Sequence, residues 1–390
     1  MTDAGKKVKA ARKLRGLTQR ELAEHSGVSL STIRKLEQGE RSTARMETLH
    51  ALARALRMET MSLVDAPKEE GASAETRDLW APMRAELLRP PSQEGEEDDP
   101  ATPAGVKRVL ARAADLSRGD QFAKLSAVLP ALLRDADTLG EEGRKVRVQV
   151  LQLAASALTH TRQFDLAELA VRRSLADAQD RLAASASVNT AAWLLIRQGR
   201  LDEALSLATK WADDLEPPRL TRATHAELAA WGLLLLRAAG AAVRNNQIGA
   251  AVDMKRWAKT AATAIGQEVS VDHELIRTFG PTTVRLLAVE DAVVRDHPDT
   301  ALTLARKVPL LGVRPCSSVQ NRHGIDVAYA HAKLGGFAEA FGQLTKVQTR
   351  APEWFPYQTA ARDALRTVVD GRRSLTPEMR NMAETLNLAL

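Results

Sequence analysis

The amino-acid sequence predicts an all-α protein in which an N-terminal five-helix domain precedes an α-solenoid. Aromatic residues make up only 4% of the 390 residues, and alanine and leucine are abundant, which favours helices over an extensive sheet. Glycines end several short apolar stretches near the N-terminus. Further along, helical segments of similar pattern recur, as they do in helical-repeat proteins.

Charge and composition divide the chain into three parts. Residues 1–65 carry 13 Lys+Arg against 8 Asp+Glu and predict a compact basic domain, which suits a polyanionic partner. Residues 66–103 carry 4 against 10 and include PPSQEGEEDDPATP, so we expect an acidic, proline-rich linker with one short helix over 76–88. Residues 104–390 predict a helical-repeat domain for sensing or dimerisation.

Several function classes are disfavoured by the residues that the sequence lacks. Cys316 is the single cysteine, and the first residues contain no apolar signal segment, so we expect a soluble protein of the reducing cytoplasm. The most apolar run, 228–243, is interrupted by Arg237 and falls short of a clean membrane span. Without a phosphate-binding glycine loop, paired metal-spaced histidines or a nucleophile elbow, we expect no enzyme activity, catalytic residue, metal or cofactor.

Residues 19–38 form the most specific motif in the chain. Thr18 and Glu21 have the spacing of a capping box at the start of a helix, and Ser29 can cap a second helix. Gly27 can take the positive φ of a tight turn between the two. The side chains expected to fill the core between these helices are Leu22, Val28, Ile33 and Leu36.

This region resembles the Xre/Cro family of helix-turn-helix regulators over residues 5–64. The resemblance rests on Gly-Leu-Thr-Gln at 16–19, Glu-Leu-Ala at 21–23, Gly-Val-Ser at 27–29, Ile33, and Leu-Glu-Gln-Gly at 36–39. It implies a lambda-repressor-like domain whose second motif helix lies in the major groove of double-stranded DNA. The base-reading candidates that it implies are Ser29, Leu30, Ser31, Arg34 and Lys35. The phosphate-contacting candidates are Gln19, Thr32, Gln38, Arg41 and Arg45.

Two further expectations follow from the same resemblance. Arg12 corresponds to an arginine that, in the family, pairs with a glutamate matching Glu37, so we expect an internal bridge rather than a DNA contact. One such domain reads only a half-site of an operator, and useful specificity therefore predicts a homodimer. The long helical body is the expected dimer interface.

Five segments of the body share a small residue near the start of a helix. These residues are Ala167, Ala204, Ala251, Ala301 and Ala340. A small residue there lets a second helix lie close to its predecessor, so the pattern predicts stacked helical hairpins in a right-handed superhelix with a concave groove. The segments resemble tetratricopeptide repeats, although their spacings of 37, 47, 50 and 39 residues are longer and less regular than the family's roughly 34. An irregular helical bundle is the alternative.

The body has two candidate roles. It resembles the peptide-sensing regulators of Gram-positive bacteria and a large group of actinobacterial regulators, which implies that the groove binds a peptide or small molecule. Alternatively, the body is a DNA-tethered scaffold for a protein partner. Polar and aromatic side chains that interrupt the alanine-leucine background are candidate groove residues, with ordinary packing as the competing explanation: Gln152, Asn189, Trp193, Trp231, Arg285, Asn321 and Arg322.

Overall fold

The computed structural model describes residues 3–39, 46–58, 63, 79–89, 101–308 and 316–389. Within the N-terminal domain it contains four helices: α1 (Asp3–Leu14), α2 (Gln19–Ser26), α3 (Leu30–Gln38) and α4 (Met46–Ala55). The expected fifth helix falls near residues 59–64, of which only Leu63 is described, and that side chain is buried.

The ends of α2 and α3 follow the sequence prediction. The Thr18 hydroxyl accepts a hydrogen bond from the amide of Glu21, and the Glu21 carboxylate accepts one from the amide of Thr18, which completes the capping box. Gly27 ends α2 with φ of 70°, and Ser29 caps α3 through the amide of Thr32. The positive φ at Gly27 lets the chain turn sharply without the steric cost that a Cβ would bring.

The core of this domain forms where α1, α2, α3 and α4 meet. Leu22, Ile33 and Leu36 are almost fully buried there, as expected, and Val28 packs against them from the edge. Burial of each large aliphatic side chain contributes about 1.5–3 kcal/mol, so these contacts determine how α2 and α3 cross.

The body is built from longer helices. They are α5 (Ala81–Leu88), α6 (Pro103–Arg118), α7 (Phe122–Thr138), α8 (Arg144–His160), α9 (Phe164–Asp177), α10 (Arg181–Arg197), α11 (Leu201–Leu215), α12 (His225–Arg244), α13 (Ile248–Ile265), α14 (Pro281–Val294), α15 (Pro298–Ala305), α16 (Ser317–Lys333), α17 (Phe337–Arg350), α18 (Thr359–Asp370) and α19 (Pro377–Thr385). Short 3₁₀ turns lie at Leu220–Arg222 and Phe355–Tyr357. The helix of the expected linker, α5, buries Trp80, Met83 and Leu87 against the body.

The predicted helical hairpins are present from α8 to α17. Each of the five alanines is the fourth residue of the second helix of a pair, and each is fully buried: Ala167, Ala204, Ala251, Ala301 and Ala340. The first helix of each pair also contacts the first helix of the next pair. The sequence pattern therefore predicted the close helix crossings correctly, because only a small side chain fits there.

The described residues are predominantly helical, as predicted, and a small two-stranded sheet is an addition to the all-α expectation. Strand β1 (Val269–Val271) pairs antiparallel with β2 (Glu274–Phe279), and the hairpin packs against α12. A Cβ at Gly232 on α12 would come within 2.0 Å of Cζ of Phe279, so the glycine makes room for this ring. Alternating apolar residues in VSVDHELIRTF are the sequence signal for the hairpin.

The interior of the body is closed rather than an open concave groove, which corrects an expectation from the sequence. In the turn between α6 and α7, Asp120 accepts a hydrogen bond of 3.2 Å from the side chain of Asn321 on α16. The segment after α17 crosses the inner side, where the Trp354 ring nitrogen donates a 3.0 Å hydrogen bond to Nδ1 of His160. Because Trp354 and Phe355 are almost fully buried, their burial favours this closure.

Helix α12 is the one described helix that is long and apolar enough to cross a membrane. Within its apolar window, 78% of the residues are buried inside the body. The apolarity of this helix is therefore accounted for by its place in the core.

Candidate nucleic-acid interface

The exposed side of α3 carries most of the predicted base-reading residues. Ser31, Arg34 and Lys35 are exposed, and Gln38, a predicted phosphate contact, is exposed on the same face. Leu30 is half-buried at the first position of the helix. The spacing of three, four and seven residues aligns the four polar side chains along one face. This face can present hydrogen-bond donors to base edges.

The side chains of two residues at the start of α3 form hydrogen bonds within the domain. The Ser29 hydroxyl accepts from the amide of Thr32 and donates to the Thr32 hydroxyl at 2.8 Å. Thr32 itself is half-buried. The Ser31 hydroxyl also lies 3.0 Å from that of Ser29. These contacts fix the first turn of α3.

The predicted internal bridge between Arg12 and Glu37 is confirmed. Nε and Nη2 of Arg12 donate to the two carboxylate oxygens at 2.7 and 2.8 Å, and both side chains are buried. Burial favours the neutral form of Glu37, but the hydrogen bonds from Arg12 and Gln19, with the Arg12 charge, lower its pKa. The bridge joins α1 to α3 and fixes their relative position.

Gln19 lies at the first position of α2, as a phosphate contact from a helix N-terminus requires. Its side-chain nitrogen donates to Oε2 of Glu37 at 2.8 Å, so the amide group is held in place by the same bridge. The other two predicted phosphate contacts, Arg41 and Arg45, lie outside the described residues.

Comparison with known families agrees with this geometry. Residues 8–62 match the helix-turn-helix family model. The matched stretch contains the second part of α1, all of α2 to α4, the capped turn and the exposed face of α3. The chain therefore carries an N-terminal helix-turn-helix domain of the kind found in DNA-binding regulators. Comparison with curated proteins gives no match.

The helix-turn-helix domain lies against the body in this structure. Arg54 on α4 donates a 2.8 Å hydrogen bond to the carbonyl of Arg295, and Asn246 donates to the carbonyl of Met58 at 3.4 Å. A cavity of about 380 Å³ lies between the two parts. Residues that line it include, from the domain, Ser29 and Thr32 and, from the body, Asp296, Lys333 and Asp370.

This cavity has a consequence for the DNA-binding surface. Thr32 is a predicted phosphate contact, yet Asp370 lines the same cavity, together with Asp296, which forms a 3.2 Å ion pair with Lys333. Asp370 repels the phosphate backbone, whereas Lys333 balances the charge of Asp296. The start of α3 is therefore less accessible to DNA here than the rest of its exposed face.

Three of the predicted groove residues lie around the closed interior. Asn189 and Trp193 are one helical turn apart on α10, and Arg322 lies on α16. Asn189 accepts a 2.9 Å hydrogen bond from Nε of Arg237, while Arg322 pairs with Glu290 and Asp326. These residues form a polar lining on the inner side of the first helices.

The other four predicted groove residues have different surroundings. Gln152 donates to the carbonyl of Ala183 and to Ser187 on α10, which is helix packing. Trp231 is buried in an apolar cluster beside Trp257, and Asn321 is fully buried in its bonds to Asp120 and Ser317. Arg285 is exposed.

Residues outside the predicted groove set complete the interior. They are His160, Arg197, Arg237, Arg244 and Arg277. The guanidinium carbons of Arg237 and Arg277 lie 5.9 and 5.7 Å from the centre of the Trp193 ring. A signal existed on α10, where Asn189, Trp193 and Arg197 follow one another at four-residue spacing on one face.

Proposed function

We propose that the protein is a sequence-specific DNA-binding transcriptional regulator that acts as a homodimer. The observation that carries the proposal is the exposed face of α3, where Ser31, Arg34 and Lys35 stand beside one another on a helix fixed by its caps and by the Arg12–Glu37 bridge. Arginine and lysine there suit the acceptors of guanine, and serine suits either base pair.

The dimer is proposed because one helix reads few base pairs. Two copies of the domain, held by their bodies, contact two half-sites about one helical turn apart and so gain the specificity that a genome requires. Light scattering of the full chain, with and without operator DNA, tests this part. A monomer in both conditions would remove it.

We further propose that the body controls access to α3. The hydrogen bonds from Arg54 and Asn246 hold the domain so that the start of α3 faces body carboxylates. A ligand that shifts the body toward a released arrangement would therefore raise operator affinity, and by linkage DNA would raise ligand affinity equally. The chain acts here by binding, without a catalytic step.

The scaffold alternative receives less support. A protein partner would need an accessible groove, and the closure by Trp354 and Phe355 fills the groove that the repeats predicted. The enclosed polar interior is better suited to a small ligand. Binding of purified protein to its operator, with fluorescence anisotropy at two salt concentrations, tests the central proposal, because a specific complex exceeds random DNA in affinity by orders of magnitude.

A further inference from the structure

The interior of the body contains more positive than negative charge. The arginine cluster, defined as Arg197, Arg237, Arg244, Arg277 and Arg322, faces three carboxylates: Glu274, Glu290 and Asp326. At the edge of the cluster, Arg162 acts on Arg197 and Asp363 acts on Arg322. Their charges are opposite, so the net charge of the cluster does not change. A partly buried excess of positive charge is costly unless something neutralises it.

The carboxylates are not shared evenly among the arginines. Arg244 and Arg322 bind Glu290, Arg322 also binds Asp326, and Arg277 binds Glu274 at 3.2 Å. These arginines have a neutralising partner at contact distance. The two remaining members, Arg197 and Arg237, have no carboxylate at contact distance among the described residues, although Glu290 and Glu274 attract Arg237 from further away.

Arg197 and Arg237 have only neutral partners within the described part of the chain. Arg197 donates to the carbonyl of Tyr357 at 3.1 Å and to the side chain of Gln358, and Arg237 donates to Asn189. Burial, with the neighbouring arginines, lowers the pKa of each to about 9. Both guanidinium groups still carry their charge at neutral pH.

The same place offers unused hydrogen-bonding capacity. Arg197, Arg237 and Trp193 are half-buried, so part of each side chain remains accessible. The side-chain nitrogen of Asn189, a residue only 1% exposed, is buried and has no hydrogen-bond partner among the residues that the structure describes. A buried amide donor of this kind is normally satisfied, and an acceptor atom of a ligand would satisfy it.

We propose that this interior is a binding site for a small oxyanion, a molecule that carries a carboxylate or phosphate group. Its oxygens bind the guanidinium groups of Arg197 and Arg237, and the amide nitrogen of Asn189 donates to it. The Trp193 ring, whose edge is supported by His160 at 4.5 Å between ring centres, provides an apolar surface beside the anion. The bidentate geometry of arginine fits both groups. The oxyanion is proposed as the ligand that controls access to α3, and its regulatory role rests on the function proposed above.

The test uses the full-length protein without DNA. Inorganic phosphate and malonate are the two probes, each titrated at constant ionic strength, with the Tm of the body followed by tryptophan fluorescence and with calorimetry for affinity. A ligand that binds only the folded state raises Tm with the logarithm of its concentration. Response to phosphate alone or to malonate alone identifies which oxyanion the site accepts.

The variants Arg197→Met and Arg237→Met separate binding from structure. We expect both to lose the probe response. Each also loses hydrogen bonds to Tyr357 and Gln358 or to Asn189, but it removes a charge that repels its neighbours, so the ligand-free Tm should fall less than in Arg322→Met. Arg237→Lys should retain a weaker response.

Arg322→Met is the comparison for a paired arginine, and its ligand-free Tm should fall because Glu290 and Asp326 lose a partner. Arg172→Met, a change on the surface of α9, controls for phosphate bound elsewhere and should respond like wild type.

Two results would overturn the site. One is a wild-type Tm that neither probe changes; the other is a response that persists in both Arg197→Met and Arg237→Met. A fall in ligand-free Tm in both variants as large as that of Arg322→Met would also overturn it, since the two arginines would then be structural. If the probes bind as expected but leave operator affinity unchanged, the binding site is supported and the proposal that a ligand controls DNA binding is contradicted.

Discussion

Nη1 of Arg54 in the helix-turn-helix domain donates a 2.8 Å hydrogen bond to the backbone carbonyl of Arg295, 241 residues further along the chain. This contact joins α4 to the turn between α14 and α15. It lies beside the cavity in which Thr32 faces Asp296 and Asp370. Among the described residues, this bond and that of Asn246 to Met58 hold the DNA-binding domain on the body, and removal of one should change DNA binding.

The first prediction concerns release of the domain. Arg54→Ala, combined with Asn246→Ala, should raise operator affinity several-fold, because the start of α3 then spends more time away from the body carboxylates. Fluorescence anisotropy with labelled operator DNA measures this. Arg172→Ala removes the same charge from a surface pair with Glu168 and should leave affinity unchanged. A weaker complex with the double variant would instead make Arg54 a DNA contact.

The second prediction assigns a base-reading role to Arg34. Arg34→Ala should cost about 1–3 kcal/mol on the operator and relax specificity at one base pair, because a side chain on the exposed face of α3 reaches base edges. Competition with operators changed at single positions measures both effects. Arg41→Ala, at a predicted phosphate contact, should weaken all sequences alike and reduce the salt slope by about one. Equal losses on specific and random DNA from both variants would contradict these roles.

The third prediction concerns the Arg12–Glu37 bridge. Arg12→Met leaves the buried Glu37 carboxylate without its charged partner and should destabilise the domain by about 3–5 kcal/mol. The six tryptophans all lie outside residues 1–65, so fluorescence does not report on this domain. Hydrogen exchange of α1 to α3, followed by mass spectrometry, does.

Two controls sharpen this test. Arg20→Met breaks an exposed pair with Glu24, and we expect it to cost less than about 1 kcal/mol. Low pH is the second control: the pKa of Glu37 is lowered in the folded state, so its stabilising contribution is complete above the unfolded value of about 4.3 and is lost as pH falls through the folded value. The difference between wild type and Arg12→Met should shrink in acid. Equal exchange in the two proteins at neutral pH would show that the bridge contributes little.

The fourth prediction concerns the small residues of the repeats. Ala204→Leu places extra methyl groups where α11 crosses its neighbours with no exposed surface, and overpacking should cost about 1–3 kcal/mol. Urea unfolding followed by tryptophan fluorescence measures it. Ala127→Leu adds the same atoms at an exposed position of α7 and should change stability by less than about 0.5 kcal/mol. Equal effects at the two positions would mean that the crossing tolerates a larger side chain.

Local features were predictable from the sequence, and long-range ones were not. The caps at Thr18 and Ser29, the turn at Gly27 and the buried alanines depend on neighbours within a few residues, so the sequence pattern predicted them. The closure of the body depends on pairs such as Asp120 with Asn321, which are 201 residues apart and leave no periodic signal.

The same distinction applies to the sites. The exposed face of α3 could be read because helix periodicity decides which residues it contains. The arginine cluster could not, because Arg197, Arg237 and Arg277 come from two helices and a strand that meet only in the folded body. Four-residue spacing puts Arg197 on the same face of α10 as Trp193. A lone arginine in a helix usually lies in solvent, and the sequence gives no reason to place Arg237 and Arg277 there.

Genome-wide footprinting of the tagged protein in its own host tests the central claim most directly. The account predicts sharp occupancy at a motif with two half-sites about one helical turn apart. It also predicts that affinity for the best site falls between low and high salt more steeply than a few phosphate contacts would cause. Diffuse occupancy without a shared motif, with equal affinity for the best site and random DNA, would contradict it.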